Sequence, residues 1–351
     1  MHSRPHERSN GSADADRFAL ATQISTTPGS VFHSIEERAR FLTGLLSWLT
    51  ANIRFFDPPQ EDEIYDVAPE NIFPGRERKA FGELGLALRL AHRVPLLRDR
   101  REIRMLTDAW LAMARRRNIF FDARRRIHLV PLMAVSLAVF SALDQVPRAA
   151  RQAVQTVLAR QFLDRTERSA WSQVDLQYYF DAIGLQHSLP EPPVLFQRSS
   201  LLGLPALPHA QKIDLYATTH LIFHLSDFGA GALPDATPGQ LAEIRNYVAL
   251  ALATCLAERD FDLAAEMLLS RICLGESADA LSRFASDMLR RAQQPDGFVP
   301  DSSWLAGLKQ AEGTTERATE EFFAVYHPTL VALILIACDM TRDVVAFGEV
   351  S

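Results

Sequence analysis

Lysine is almost missing from this chain. Of 37 basic residues in a length of 351, three are lysines (Lys79, Lys212, Lys309) and 34 are arginines. Acids outnumber them, and the net charge of −6 argues against a nucleic-acid partner. Cysteine is scarce too. Cys255, Cys273 and Cys338 are scattered, odd in number and free of any CxxC pairing, which excludes a disulfide framework and a cysteine zinc site. Near the N-terminus no apolar run follows basic residues, so no signal peptide is expected. The longest apolar stretch, Leu129–Leu143, is broken by Pro131, Ser136 and Ser141 and is too short to span a bilayer. These absences predict a cytoplasmic protein with no membrane role. No P-loop, dinucleotide-binding glycine pattern, HExxH or GxSxG occurs. Asp227-Phe-Gly229 spells a kinase tripeptide, but no HRD motif or glycine-rich loop accompanies it.

What is present is helical. Apolar residues make up 48% and charged residues 23%, an ordinary globular balance in a chain long enough to bury a full core. Residues 1–30 are poor in apolar side chains and read as a disordered segment; 31–351 read as a single domain. Ser34-Ile-Glu-Glu37 has the form of a capping box, followed by Phe41, Leu42, Leu45, Trp48 and Leu49 at helical spacing. Asp99 and Pro147 read as the starts of two further helices, and Thr237-Pro-Gly-Gln240 as a second capping box. No segment alternates with period two for long enough to make a strand.

The helices divide into two alternating kinds. Segments 99–117, 147–164, 238–258 and 277–292 are amphipathic, with arginines on the polar side. Segments beginning near Glu83, Leu129, Asp175, Asp214, Asp262 and Phe323 are apolar all round, as buried helices are. The buried kind recurs about every 45 residues, which suits a helical hairpin repeat. The repeat is loose, and its last member is strongly apolar rather than polar like the cap of an open solenoid. The expected fold is therefore all-α: an α/α toroid of about six hairpins, apolar helices inside and amphipathic ones outside. The helix at 34–54 would be the outer partner of the last hairpin. An irregular helical bundle is the alternative.

Two stretches resemble a known superfamily. Gln293-Gln-Pro-Asp-Gly-Phe298 is similar to the turn that recurs in the α/α toroids of terpenoid cyclases and protein prenyltransferases. Tyr326-His-Pro-Thr329, opening an apolar helix, resembles their inner helices. The likeness spans roughly residues 170–340 and implies the toroid fold. It does not carry either activity, because the chain has no DxDD, no DDxxD and no Asp-x-Cys with a later histidine. The chain also resembles an uncharacterised bacterial family, some of whose members sit among natural-product genes, which implies secondary metabolism.

Polar residues on inner helices of a toroid face the central cavity, where an unpaired charge costs several kcal/mol and needs a partner. His220, His224 and Asp227 lie at i, i+4 and i+7 of one such helix, hence on one face. Two imidazoles and a carboxylate suit a divalent transition metal, or a general base with its orienting acid. The alternative is that both histidines are satisfied core residues and Asp227 caps the turn before Gly229. His327 is a second catalytic candidate. Cys273 is a third, if a base such as His220 or His327 lies beside it. Asp175, Tyr178, Tyr179 and Asp181 either bind a polar ligand or join helices. The recurrent Asp175, Asp214 and Asp262 read as helix N-caps.

Two function classes follow. One is an enzyme acting on a small molecule or peptide in the cavity. The other is a non-catalytic helical module that docks a partner protein. The arginines of 115–117 and 124–126, which flank Asn118-Ile-Phe-Phe-Asp122, read as a solvated helix end.

Overall fold

The computed structural model describes residues 29–58, 75–117, 120, 127–161, 166–301, 304 and 315–348. Most of the segment expected to be disordered, the Asn118–Asp122 loop and the arginines at 124–126 lie wholly or mostly outside those residues. Among the described residues every regular element is a helix. The main ones are α1 (Ile35–Ala51), α2 (Arg76–His92), α3 (Arg101–Arg116), α4 (Val130–Ala142), α5 (Arg148–Leu158), α6 (Ala170–Ala182), α7 (Pro192–Arg198), α8 (Lys212–Leu225), α9 (Pro238–Glu258), α10 (Phe261–Cys273), α11 (Ala280–Ala292) and α12 (Thr315–Gly348).

Local chemistry sets the helix starts. The Ser34 hydroxyl accepts from Glu37 N at 3.1 Å, while the Glu37 carboxylate lies by Arg290 instead of closing the box. Thr237 and Gln240 form the full reciprocal box at the head of α9. The recurrent aspartates are not N-caps. The capping residues are Ser169 for α6, Gln211 for α8 and Asp260 for α10. Asp214 reaches back to the Gln211 amide as the N3 partner, at 2.9 Å. Asp175 and Asp262 lie inside α6 and α10, which frees their carboxylates for other contacts. Asp99 likewise ends a one-turn helix and caps nothing, since α3 starts from Arg100 without a side-chain cap.

The six helices of the apolar kind pack in sequence: α2 on α4, α4 on α6, α6 on α8, α8 on α10, α10 on α12, and α12 back on α2. The amphipathic helices cover them, α3 on α2, α5 on α4, and α9 and α11 on α10. α3 buries one face only (Ile103, Leu106, Trp110, Met113), whereas α10 is buried at every position from Asp262 to Cys273. Exposure therefore follows the two kinds of pattern legible in the sequence.

The first and last of the described helices are fastened together. Helix α1 packs on α12. Asp339 of α12, 1% exposed, accepts from Arg38 Nη1 (2.7 Å), Ser30 Oγ (2.8 Å) and Val31 N (3.0 Å). The Gln293–Phe298 turn adds a second fastening. Gln293 Nε2 donates to the carbonyls of Phe41 (3.0 Å) and Gly297 (2.8 Å). Gly297 has φ of +104°, and a Cβ there would collide with the Gly44 carbonyl, so only glycine fits.

Among the described residues one helical stretch, Arg317–Asp343 of α12, is long and apolar enough to cross a membrane by length and composition. Of its apolar window 78% is buried inside the fold, against α1, α2 and α10.

Candidate functional site

A cavity of about 270 Å³ opens between the six helices of the cyclic series, and each of them contributes to its wall. Much of the wall is apolar: Leu86, Leu132, Val135, Leu176, Phe223, Leu269, Leu330 and Ile334. Into this surface project two ionisable clusters on neighbouring helices.

The first cluster centres on His327, one helical step before Pro328. Pro328 has no N–H, so α12 loses one backbone hydrogen bond beside this histidine. His327 Nδ1 lies 3.0 Å from Glu83 Oε2 on α2. His327 Nε2 lies 3.2 Å from Glu266 Oε1 and 3.5 Å from Asp262 Oδ1 on α10. Tyr216 of α8 donates to Asp262 (2.6 Å), and Thr219 donates a short hydrogen bond to the second oxygen of Glu266. Lys79 reaches Glu83 at 3.5 Å.

Charge follows from this geometry. Burial opposes the imidazolium, but the surrounding carboxylates raise His327 well above its usual value of 6.5. Burial also pushes Glu83 upward, yet His327 and Lys79 outweigh it and hold that carboxyl at about 2. Glu266, 1% exposed, is lowered despite burial by His327, His220 and Thr219. Asp262 goes the other way, up to about 6, because burial and the neighbouring Glu266 charge exceed the pull of His327. At neutral pH an imidazolium is thus held among carboxylates from two helices.

The second cluster joins α6 to α8. His220 and His224 are one turn apart, and Asp175 faces them from α6. His224 Nδ1 is 2.7 Å from Asp175 Oδ1, and His220 Nδ1 is 4.0 Å from the same oxygen. His224 Nε2 lies 3.4 Å from the Tyr179 hydroxyl, and Trp171 sets its ring edge-on to His220 at 5.4 Å. Burial lowers His220, so its ring is neutral at pH 7. The nearby charges of Glu266 and His327 also act on His220, which shows how close the two clusters are.

The structure thus brings His220, His224 and His327 to one cavity and leaves out two other candidates. Asp227 does not share the histidine face. α8 ends at Leu225, and the chain turns through left-handed conformations at Asp227, Phe228 and Gly229. The Asp227 carboxylate is taken up by Arg93 Nη2 (2.5 Å) and the Tyr178 hydroxyl (2.7 Å), and its side chain is 46% exposed. Cys273 lies at the far end of α10, outside the cavity wall, with Cys338, Ser226, Arg93 and Arg342 around it and no histidine. Burial pushes its thiol well above 9, the opposite of what a nucleophile needs. Of the α6 quartet, Asp175 and Tyr179 line the cavity. Tyr178 ties Arg89 to Asp227, and Asp181 pairs with His187.

Sequence reading passed over Glu83 and Glu266 as site residues. The available signal was a single acid inside an otherwise apolar helix: Ala264-Ala-Glu266-Met-Leu268 is the plainest case.

Fold and site together define a class: an all-helical protein with an ionisable cavity lined by helices that pack in a cyclic series. The chain belongs to the family described as domain of unknown function DUF6895, which it matches over residues 42–337. No curated protein and no solved structure matches it.

Proposed function

We propose that this protein is an enzyme built as an α/α toroid, in which α2, α4, α6, α8, α10 and α12 form the inner ring. Its substrate is a small molecule, or the end of a peptide, with an apolar body and a polar group. The cavity lies near the lower end of the ~300–1,000 Å³ usual for small-molecule sites, too small to admit a folded partner. His327 donates a proton to the polar group, and Glu266 or Asp262 beside it accepts one, so the reaction class is proton transfer within a water-poor chamber. The observation that carries this reading is one imidazole contacted on both nitrogens by carboxylates of different helices, at the wall of an apolar cavity. Nothing in a merely structural ion pair requires an adjoining void. The three buried cysteines suit a reducing cytoplasm. A resemblance to a family found among natural-product genes supports a place in secondary metabolism.

The test is untargeted. Purified protein is incubated with a small-molecule extract, and depletion is followed by mass spectrometry. Wild type should consume at least one compound. His327→Gln should abolish consumption without loss of fold, and Val135→Trp, which fills the cavity, should abolish binding as well. Binding that needs the open cavity but never leads to consumption would mean a carrier. Neither binding nor consumption would leave the toroid as a module that docks a partner protein.

A further inference from the structure

The two clusters differ in one respect that points to a missing ligand. In the His327 cluster the imidazole nitrogens and both Glu266 oxygens have partners, and one buried oxygen, Asp262 Oδ1, lacks a hydrogen bond but lies 3.5 Å from His327 Nε2. In the Asp175 cluster, Asp175 Oδ1, His220 Nδ1 and His224 Nδ1 are all buried and none has a hydrogen-bond partner. The His224–Asp175 contact is short, but it is not aligned for an N–H to point at the oxygen. An orphaned buried polar atom costs about 1–3 kcal/mol. Three adjacent orphans call for one shared partner.

One ligand atom from each of Asp175, His220 and His224 lies within 4.8 Å of the other two. Around a transition metal with bonds of ~2.0–2.2 Å, neighbouring donor atoms sit about 3–3.5 Å apart. Small ring rotations of His220 close the difference, and its side chain, 31% exposed, has the cavity beside it to turn in. One tautomer suits a ligand. With Nε2–H turned to the Tyr179 hydroxyl 3.4 Å away, Nδ1 would keep its lone pair for a metal, as outer partners of metal-bound histidines arrange. His224 has a side chain only 4% exposed, so this nitrogen is dry, with Asp175 Oδ1 2.7 Å away.

We propose that Asp175, His220 and His224 bind one divalent transition-metal ion at the cavity wall. Two imidazoles and one carboxylate favour zinc, iron(II) or cobalt over magnesium or calcium, which take oxygen donors. Three protein ligands leave coordination positions free, as in catalytic rather than structural sites. The free positions face the same cavity as His327, so a substrate atom or water bound to the metal would lie near that imidazolium. The Asp262–Glu266–His327 group is the weaker site for a metal. Its histidine has both nitrogens engaged, and its positive charge already serves the carboxylates. The proposal stands apart from the acid–base reading, since metal binding is measured without any substrate.

The experiment uses untagged full-length protein stripped with a chelator. It is titrated with Co²⁺, followed by visible absorption, and with Zn²⁺, followed by calorimetry. One ion per chain is expected, with the cobalt bands of a nitrogen–oxygen site. His220→Ala and Asp175→Asn should each weaken binding at least tenfold, and Tyr179→Phe by a smaller factor. Asp227→Asn and the surface variant His209→Ala should bind as wild type does. Circular dichroism establishes that each variant is folded; if His220→Ala is not, Asp175→Asn decides. No saturable binding in wild type would overturn the proposal and leave the orphans to a water. So would binding that survives both ligand substitutions, or that is lost in His327→Gln alone.

Discussion

Two walls of one cavity solve the problem of buried charge in opposite ways. On the α12 side, His327 is paired with Glu83, Glu266 and Asp262, and hydroxyls from Tyr216 and Thr219 join the network. On the α6–α8 side, Asp175, His220 and His224 crowd together and leave their facing atoms unsatisfied. The first wall is a largely paired electrostatic unit in which one oxygen, Asp262 Oδ1, lacks a hydrogen bond. The second is an open one that stays stable without a ligand only because the rest of the fold pays for it. Satisfied networks tend to be felt in stability, and unsatisfied ones in binding.

That contrast can be broken most forcefully at His327. His327→Ala would strand three carboxylates around an emptied site, and removing one partner of a buried ion pair costs about 3–5 kcal/mol. Urea denaturation should show that loss, and an effect below about 1 kcal/mol would mean the cluster is solvated after all. Glu266→Gln keeps shape and removes one charge. It should cost less, about 1–3 kcal/mol, by the scale of a lost charged hydrogen bond, and should lower the proton affinity of His327.

The pH dependence belongs to the same wall. Glu83 is lowered from 4.5 to about 2, so its stabilisation is present above 4.5 and is lost as pH falls towards 2. His327 is raised above 6.5, so its stabilisation is present below 6.5 and is lost as pH climbs through the raised value. Asp262, raised from 3.8 to about 6, opposes Glu83 by removing stability across that interval. Urea midpoints measured against pH should fall on the alkaline side in wild type, and His327→Ala should flatten that limb. A wild type with no alkaline fall would contradict the assignment.

The smallest effect is expected on the other wall. In metal-free protein, His220→Ala removes an unsatisfied group, so stability should change by less than about 1 kcal/mol or even rise. A large loss there would mean that His220 is already satisfied, and the contrast between the walls would disappear.

Much of this arrangement was legible in the sequence, for identifiable reasons. Burial on all sides leaves an unbroken apolar pattern, so the helices of the cyclic series are legible. The amphipathic helices that cover them are marked by arginine on one face. The three histidines stood out because polar residues in such helices are few. Glu83 and Glu266 did not, because they come from helices far apart in the chain and meet His327 only through packing; Asp175 stood out as a polar residue of α6, but not as a partner of the α8 histidines. Asp227 was chosen by extending helical spacing past the true end of α8. Gly229, with φ of +83° against the Cys273 backbone, was the signal that the helix stops earlier. Asp175, Asp214 and Asp262 looked equivalent by position, yet one closes a capping box and the other two enter the cavity clusters.

The most direct measurement is the imidazole nitrogen NMR spectrum of the full-length, metal-free protein, recorded across neutral pH and then with Zn²⁺ added. The account predicts that His327 stays protonated on both nitrogens above pH 7. His220 should be neutral there, and the His220 and His224 signals should shift together when one equivalent of Zn²⁺ is added. If His327 titrates at its ordinary value of 6.5, or if the two α8 histidines ignore the metal, the division of the cavity into a paired wall and an open wall is wrong.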